Sequence, residues 1–101
     1  MSLIIAHITN EQELTLEHEL FNLKTYFDFE NKEIANADII IVDNDFDLIE
    51  FKRNKKQKIL LCGNFSDNYL LQKMRKDKYD SVIIKPYTMK DLVYLVDNLY
   101  G

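Results

Sequence analysis

The segment Asp38-Ile39-Ile40-Ile41-Val42-Asp43 constrains this chain most. Four consecutive β-branched residues are poor in a helix and favoured in a strand. The run has no polar residue at alternate positions, so a strand here is apolar on both faces. Such a strand belongs at the centre of a parallel sheet that is covered on both sides. A parallel sheet needs crossover connections, so the rest of the chain must supply alternating strands and helices.

Further short apolar runs fit that demand. Leu3–Ile8, Lys58–Cys62 and Ser81–Ile84 each read as a strand, being too short for a helix. Thr25–Phe29 is aromatic and β-prone and is predicted as the second strand. Between the first two strands, Thr9 with Gln12, or Asn10 with Glu13, offers a capping box. Leu16, Leu20 and Leu23 follow at helical spacing, flanked by Leu14 and Phe21, and predict an amphipathic helix. Glu30–Ala37 leaves room for one or two helical turns. Phe46–Asn54 is predicted helical with Asp45 as its cap. A further helix starts after Ser66 or Asp67 and runs to about Asp77, with Leu70, Leu71 and Met74 inward. Thr88 to Asp91 matches the Thr-x-x-acid cap signature. Behind it, Met89, Leu92, Val93, Val96 and Leu99 form the clearest helical stripe in the chain, with Gly101 a candidate for its C′ residue.

The chain has 101 residues, 47% hydrophobic and 30% charged, which suits one folded domain over residues 1–101. A single cysteine, Cys62, excludes an internal disulfide and fits a reducing, cytoplasmic setting. No apolar run approaches the roughly 20 residues that span a bilayer, and the N-terminus lacks a signal-peptide pattern. The net charge of −4 disfavours sequence-independent nucleic-acid binding. Five of the seven residues from Lys52 to Lys58 are basic, which reads first as a solvated turn and second as a phosphate patch. With glycine only at Gly63 and Gly101, a phosphate-cradling loop or dinucleotide fingerprint is excluded.

In parallel sheets of this class, ligands sit beyond the carboxyl ends of the strands. The informative residues are therefore His7–Asn10, Asp43–Asp45, Cys62–Asn64 and Lys85-Pro86. Asp38–Asp43 resembles the third strand of response-regulator receiver domains, which ends in the phosphate-accepting aspartate. Val82-Ile83-Ile84-Lys85-Pro86-Tyr87 resembles their fifth strand, which ends in Lys-Pro-aromatic. The motifs fall in the right order, and a capped amphipathic helix follows the second.

The resemblance implies a doubly wound, flavodoxin-like α/β fold with a five-stranded parallel sheet in the order 2-1-3-4-5. The second helix would be shortened. Asp43 takes the phosphoacceptor position, Lys85 the active-site lysine and Pro86 a cis-proline. Three departures stand out. Ala6-His7-Ile8-Thr9-Asn10 carries no carboxylate where receivers hold the acidic pair that binds Mg²⁺. Gly63 falls at the hydroxyl position after strand four, or Cys62 if the loop differs by one. Val82 stands where the family often has an aromatic residue. Magnesium prefers six oxygens in near-octahedral array. Asp43 alone leaves one certain carboxylate, with Asp45, Asp47 and Glu11 as weak substitutes, so no cofactor is expected.

The resemblance implies a non-enzymatic, atypical receiver of a signalling or transcriptional regulator in a two-component or related system, working without phosphorylation. It would act through a protein partner or an attached output domain, either alone or as the N-terminal portion of a longer regulator. A twofold dimer would use the face of helix four, strand five and helix five, with Met74, Tyr87, Lys90 and Tyr94 as interface candidates. The alternatives are a competent phosphoacceptor, a small flavodoxin-like carrier or enzyme with Cys62 as nucleophile, and a purely structural module. His7 could serve as a metal ligand or proton carrier, but without a partner at ligand spacing it reads first as a plain strand-end residue, and His18 as an exposed one.

Overall fold

The computed structural model describes residues 2–11, 15–46, 48, 51–64, 69–76 and 79–100. Its strands are β1 (Leu3–Ile8), β2 (Thr15–Glu17), β3 (Phe21–Tyr26), β4 (Ile39–Asp43), β5 (Lys58–Asn64) and β6 (Ser81–Lys85). A 3₁₀ helix covers Lys32–Asn36, and two α-helices follow, α1 (Leu70–Lys76) and α2 (Met89–Tyr100). The six strands form one sheet in the order β2-β3-β1-β4-β5-β6. Every pairing is parallel except β2 with β3.

Strand β4 lies in the interior of the sheet, and all five of its residues are buried. The run that is apolar on both faces thus takes the place its composition demands. Two apolar clusters flank the sheet. Ile5, Phe21, Leu23, Ile39, Ile41, Leu60 and Cys62 face α2, which contributes Leu92 and Val96. Ala6, Ile8, Ile40, Val42, Ile59 and Leu61 face the other way, against Ile34 of the 3₁₀ helix and Leu70 of α1. Phe29, Phe46 and Phe51 also pack on that second side, with the rings of Phe29 and Phe51 stacked at 5.2 Å.

The sheet has six strands where the sequence predicts five, because a helix expected after β1 is absent among the described residues. Thr15–Glu17 and Phe21–Tyr26 are strands, and the second strand therefore lies at Phe21–Tyr26 instead of Thr25–Phe29. Gln12, Glu13 and Leu14 lie outside the described residues. The segment carries two periodicities at once. Leu16, Leu20 and Leu23 satisfy a helix, while Phe21, Leu23 and Thr25 alternate with exposed Asn22 and Lys24 and satisfy a strand. Pairing β3 along the whole of β1 supplies partners for backbone groups that would otherwise be left on that edge. Leu20, which a helical stripe would bury, is 38% exposed in the turn between β2 and β3.

No described residue of Phe46–Asn54 is helical, against expectation; Asp47, Ile49 and Glu50 lie outside the described residues. Phe46 and Phe51 anchor this connection to the core. Ser66, Asp67 and Asp77, predicted to bound the next helix, also lie outside the description. Gln57 is buried, and its side-chain amide donates to the carbonyls of Ile34 (3.0 Å) and Ala37 (3.1 Å), satisfying the end of the 3₁₀ helix. In the basic run, Arg53 pairs with Asp80 at 3.0 Å, while Lys52, Lys55 and Lys56 are exposed. The cap of α2 closes as its sequence predicts. Thr88 N–H donates to Asp91 Oδ2 at 2.8 Å, and Asp91 N–H donates to Thr88 Oγ1 at 3.2 Å. No helix is long and apolar enough to cross a membrane among the described residues.

Candidate functional site

Adjacent parallel strands bring their carboxyl ends to one lip of the sheet. In β1, Ile5 and His7 share the face turned toward α2. The β1–β4 register sets His7 beside Ile41, two residues short of Asp43 on the same face of β4. Asp43 in turn pairs with Cys62 of β5, and Lys85 ends β6. Pleat and register thus gather one residue from each of four strands.

Asp43 is 1% exposed, and protein groups surround its carboxylate. His7 Nε2 lies 2.7 Å from Oδ1. Thr9 Oγ1 donates a short hydrogen bond to Oδ2, and Lys85 Nζ stands 3.6 Å from the same oxygen. Burial pushes the Asp43 carboxyl up. The hydrogen bonds from His7 and Thr9, with the charges of His7 and Lys85, outweigh that and hold it below the usual aspartate value. The group is therefore a carboxylate at neutral pH.

That charge state orders its neighbours. A carboxylate only accepts, so Nε2 of His7 carries the proton that lies between them. In the neutral ring Nδ1 then accepts, and Tyr87, whose hydroxyl lies 2.7 Å away, donates to it. The two rings meet at 41° with centroids 5.5 Å apart. Burial, with the charges of Cys62 and Asp43, pushes the Tyr87 phenol up and keeps its proton in place.

Thr9 serves twice. Its Oγ1 accepts from Glu11 N–H at 3.1 Å, a tight turn that returns Glu11 toward the lip. Glu11 Oε1 accepts from Lys85 Nζ at 2.7 Å. Burial pushes the Lys85 ammonium down, but the Glu11 hydrogen bond and the Asp43 charge raise it above its ordinary value. The Lys85–Pro86 peptide bond is cis, and the next residue, Tyr87, lies with its hydroxyl against His7. Beyond Asp43, Asn44 N–H donates to Cys62 O at 2.9 Å, and Lys73 Nζ donates to the carbonyls of Asn44 and Phe46.

The structure thus brings Asp43, Lys85 and Cys62 together, as their strand-end positions predict. Asp45 is exposed, and Asp47 lies outside the described residues. Gly63 is buried in β5 and offers no side chain where a receiver has a hydroxyl. Cys62 is fully buried, and burial first, then the charge of Asp43, pushes its thiol up to about 12. Of the four interface candidates, Lys90 and Tyr94 are exposed, Tyr94 at 72%. Met74 packs on the second cluster, and the half-buried Tyr87 points into the site. His7 and Thr9 lie in the strand-end segment that the sequence marks as informative, but neither is assigned a site role there. The available signal was a polar residue in phase with Leu3 and Ile5 on a buried strand face.

Magnesium, which the receiver resemblance implies, does not fit these residues. It takes oxygen ligands in near-octahedral array. Around Asp43, the other groups able to reach a common ion among the described residues are His7 and Cys62, a nitrogen and a sulfur. An ammonium and a hydroxyl already hold the outer carboxylate oxygen. No protein-family model matches this chain, and no curated protein matches it.

Proposed function

We infer that this chain is an atypical receiver-like signalling module that acts by protein–protein contact and does not depend on phosphoryl transfer. The state of Asp43 carries the reading. A carboxylate that attacks phosphorus needs a free lone pair and cations placed around the incoming phosphoryl oxygens. Here His7 and Thr9 each bond one carboxylate oxygen, and the group is 1% exposed. His7 occupies the region where receivers place acids, and its ring can hold the carboxylate in one geometry without magnesium.

The strand order supports the comparison. With the antiparallel edge strand β2 set aside, the parallel strands run β3-β1-β4-β5-β6, which matches the receiver order 2-1-3-4-5. A 3₁₀ helix between β3 and β4 and helices packed on both faces of the sheet are compatible with that comparison. By the same resemblance, the contact surface is the edge formed by β6 with α1 and α2, where Ile84 (39%) and Tyr94 (72%) are exposed. The module would there pair with a second copy, a protein partner or an output domain of a transcriptional or signalling regulator in the cytoplasm. The Cys62 alternative needs a reactive thiolate, and burial works against one.

Incubation with Mg²⁺ and acetyl phosphate, followed by intact mass, tests the reading. The expected result is no adduct. A stoichiometric phosphoryl adduct that disappears in Asp43→Asn would overturn it and favour the competent phosphoacceptor.

A further inference from the structure

The geometry points to a binding site for a divalent transition metal of the zinc type, formed by His7, Asp43 and Cys62 at the carboxyl lip of β1, β4 and β5. One ligand atom from each residue, an imidazole nitrogen, a carboxylate oxygen and the thiol sulfur, lies within 4.8 Å of the other two. All three residues are buried. A zinc-type ion takes a tetrahedral set of nitrogen, oxygen and sulfur donors, and three protein ligands leave a fourth position open.

The surrounding groups suit this role. A metal-bound imidazole typically donates its other ring N–H to a fixed acceptor. Tyr87 Oη, 2.7 Å from His7 Nδ1, can accept a hydrogen bond from that N–H once Nε2 binds the metal and the phenol O–H rotates away from the ring. Thr9 and Lys85 hold Asp43 by Oδ2 and leave Oδ1 for the ion. Charge also balances. The Asp43 carboxylate and a Cys62 thiolate offset the two positive charges, and Lys85 is already paired with Glu11 at 2.7 Å. The step is an exchange. The proton on His7 moves from Nε2 to Nδ1, the thiol proton leaves to solvent, and the His7–Asp43 hydrogen bond opens from 2.7 Å to admit the ion. The ion would link three strands of the sheet at the point where a receiver takes phosphate. The inference does not rest on the receiver reading, because the donor set stands whether or not Asp43 accepts phosphate.

Titration of the reduced, folded protein with Co²⁺ in oxygen-free buffer is the test. We expect one equivalent to bind with a thiolate-to-cobalt band in the near ultraviolet, displaced by Zn²⁺. Cys62→Ser should abolish the band. His7→Ala should weaken binding at least 100-fold, and Tyr87→Phe, a positioning change, by roughly 10-fold. His18→Ala should change nothing. X-ray absorption on the zinc-loaded native protein should show one sulfur at about 2.3 Å with nitrogen and oxygen neighbours at about 2.0–2.2 Å. That measurement needs no variant to fold. Absence of the band, a zinc shell without sulfur, or loss of binding in His18→Ala would overturn the site. A phosphoryl adduct on Asp43 in the separate donor experiment would leave it standing.

Discussion

Asp43 shows how burial and charge are reconciled at a single residue. Taking a carboxylate out of water is costly unless hydrogen bonds replace the lost solvent. His7 and Thr9 provide that replacement, one on each oxygen. Removing the imidazole leaves a buried acceptor unpaired, so His7→Ala should destabilise the fold by about 1.5–3 kcal/mol in urea unfolding. Tyr87→Phe removes one hydrogen bond to the His7 ring and should cost about 0.5–1.5 kcal/mol. The carboxyl also sets a pH dependence. Its pKa in the folded state lies below the ordinary 3.8, so between those values the unfolded chain binds the extra proton. Stability from this group is therefore fully present above the unfolded value and is lost as pH falls through the folded one. Urea midpoints measured from neutral pH down to acid should show that loss in the native protein, and Asp43→Asn should remove this component. At this scale the sequence was half legible. Asp43 and Lys85 could be read because each ends an apolar strand. Their link to His7 could not, because 36 residues separate His7 from Asp43 and only the β1–β4 register joins them.

Individual elements were legible where one period dominated. Strand β4 is apolar from Ile39 to Val42, and α2 has both a helical stripe and a reciprocal cap, so neither had a competitor. Thr88→Ala should cost about 0.5–2 kcal/mol of stability by removing one half of that cap, with an unchanged urea m-value. The segment from Thr15 to Tyr26 had two periods of similar strength, and local pattern alone could not choose between them. The choice was made by β1, whose outer edge needed a parallel partner. This difference can be measured. In a helix, Leu20 and Leu23 would share a buried stripe and both would matter. In the β2–β3 hairpin Leu20 is 38% exposed and Leu23 is 1% exposed. Leu20→Lys should change stability by less than about 0.5 kcal/mol, while Leu23→Ala should cost about 2–5 kcal/mol. Comparable losses at the two positions in urea unfolding would argue for the helix.

Across the whole molecule, the sheet has a protected middle and two unequal edges. Strands β1, β4 and β5 are paired on both sides and are mostly buried. Edge β2 is three residues long and antiparallel, a short edge of the kind that discourages further pairing. Edge β6 is longer, pairs with β5 alone among the described residues and exposes Ile84. Beside it, Val82, Ile84, Tyr94, Leu95 and Leu99 line a groove of about 530 Å³ against α2. Amide exchange should resolve this pattern, since local openings free edge amides before those that require global unfolding. The slowest amides should lie in β4 and β5, with those of β2 and the outer side of β6 exchanging earliest. If a second copy docks on the β6 edge, protection there should rise with protein concentration while that of the opposite edge, β2, stays unchanged, and sedimentation should shift toward dimer over the same range. Protection of β6 that stays constant while the protein sediments as a monomer would remove the self-association proposal and leave the edge to a different partner. The β2 amides serve as the internal reference, because local openings at the far edge of the sheet free them without separating such a dimer, whereas the β4 and β5 amides, which depend on global stability, gain protection from any association of the folded chain.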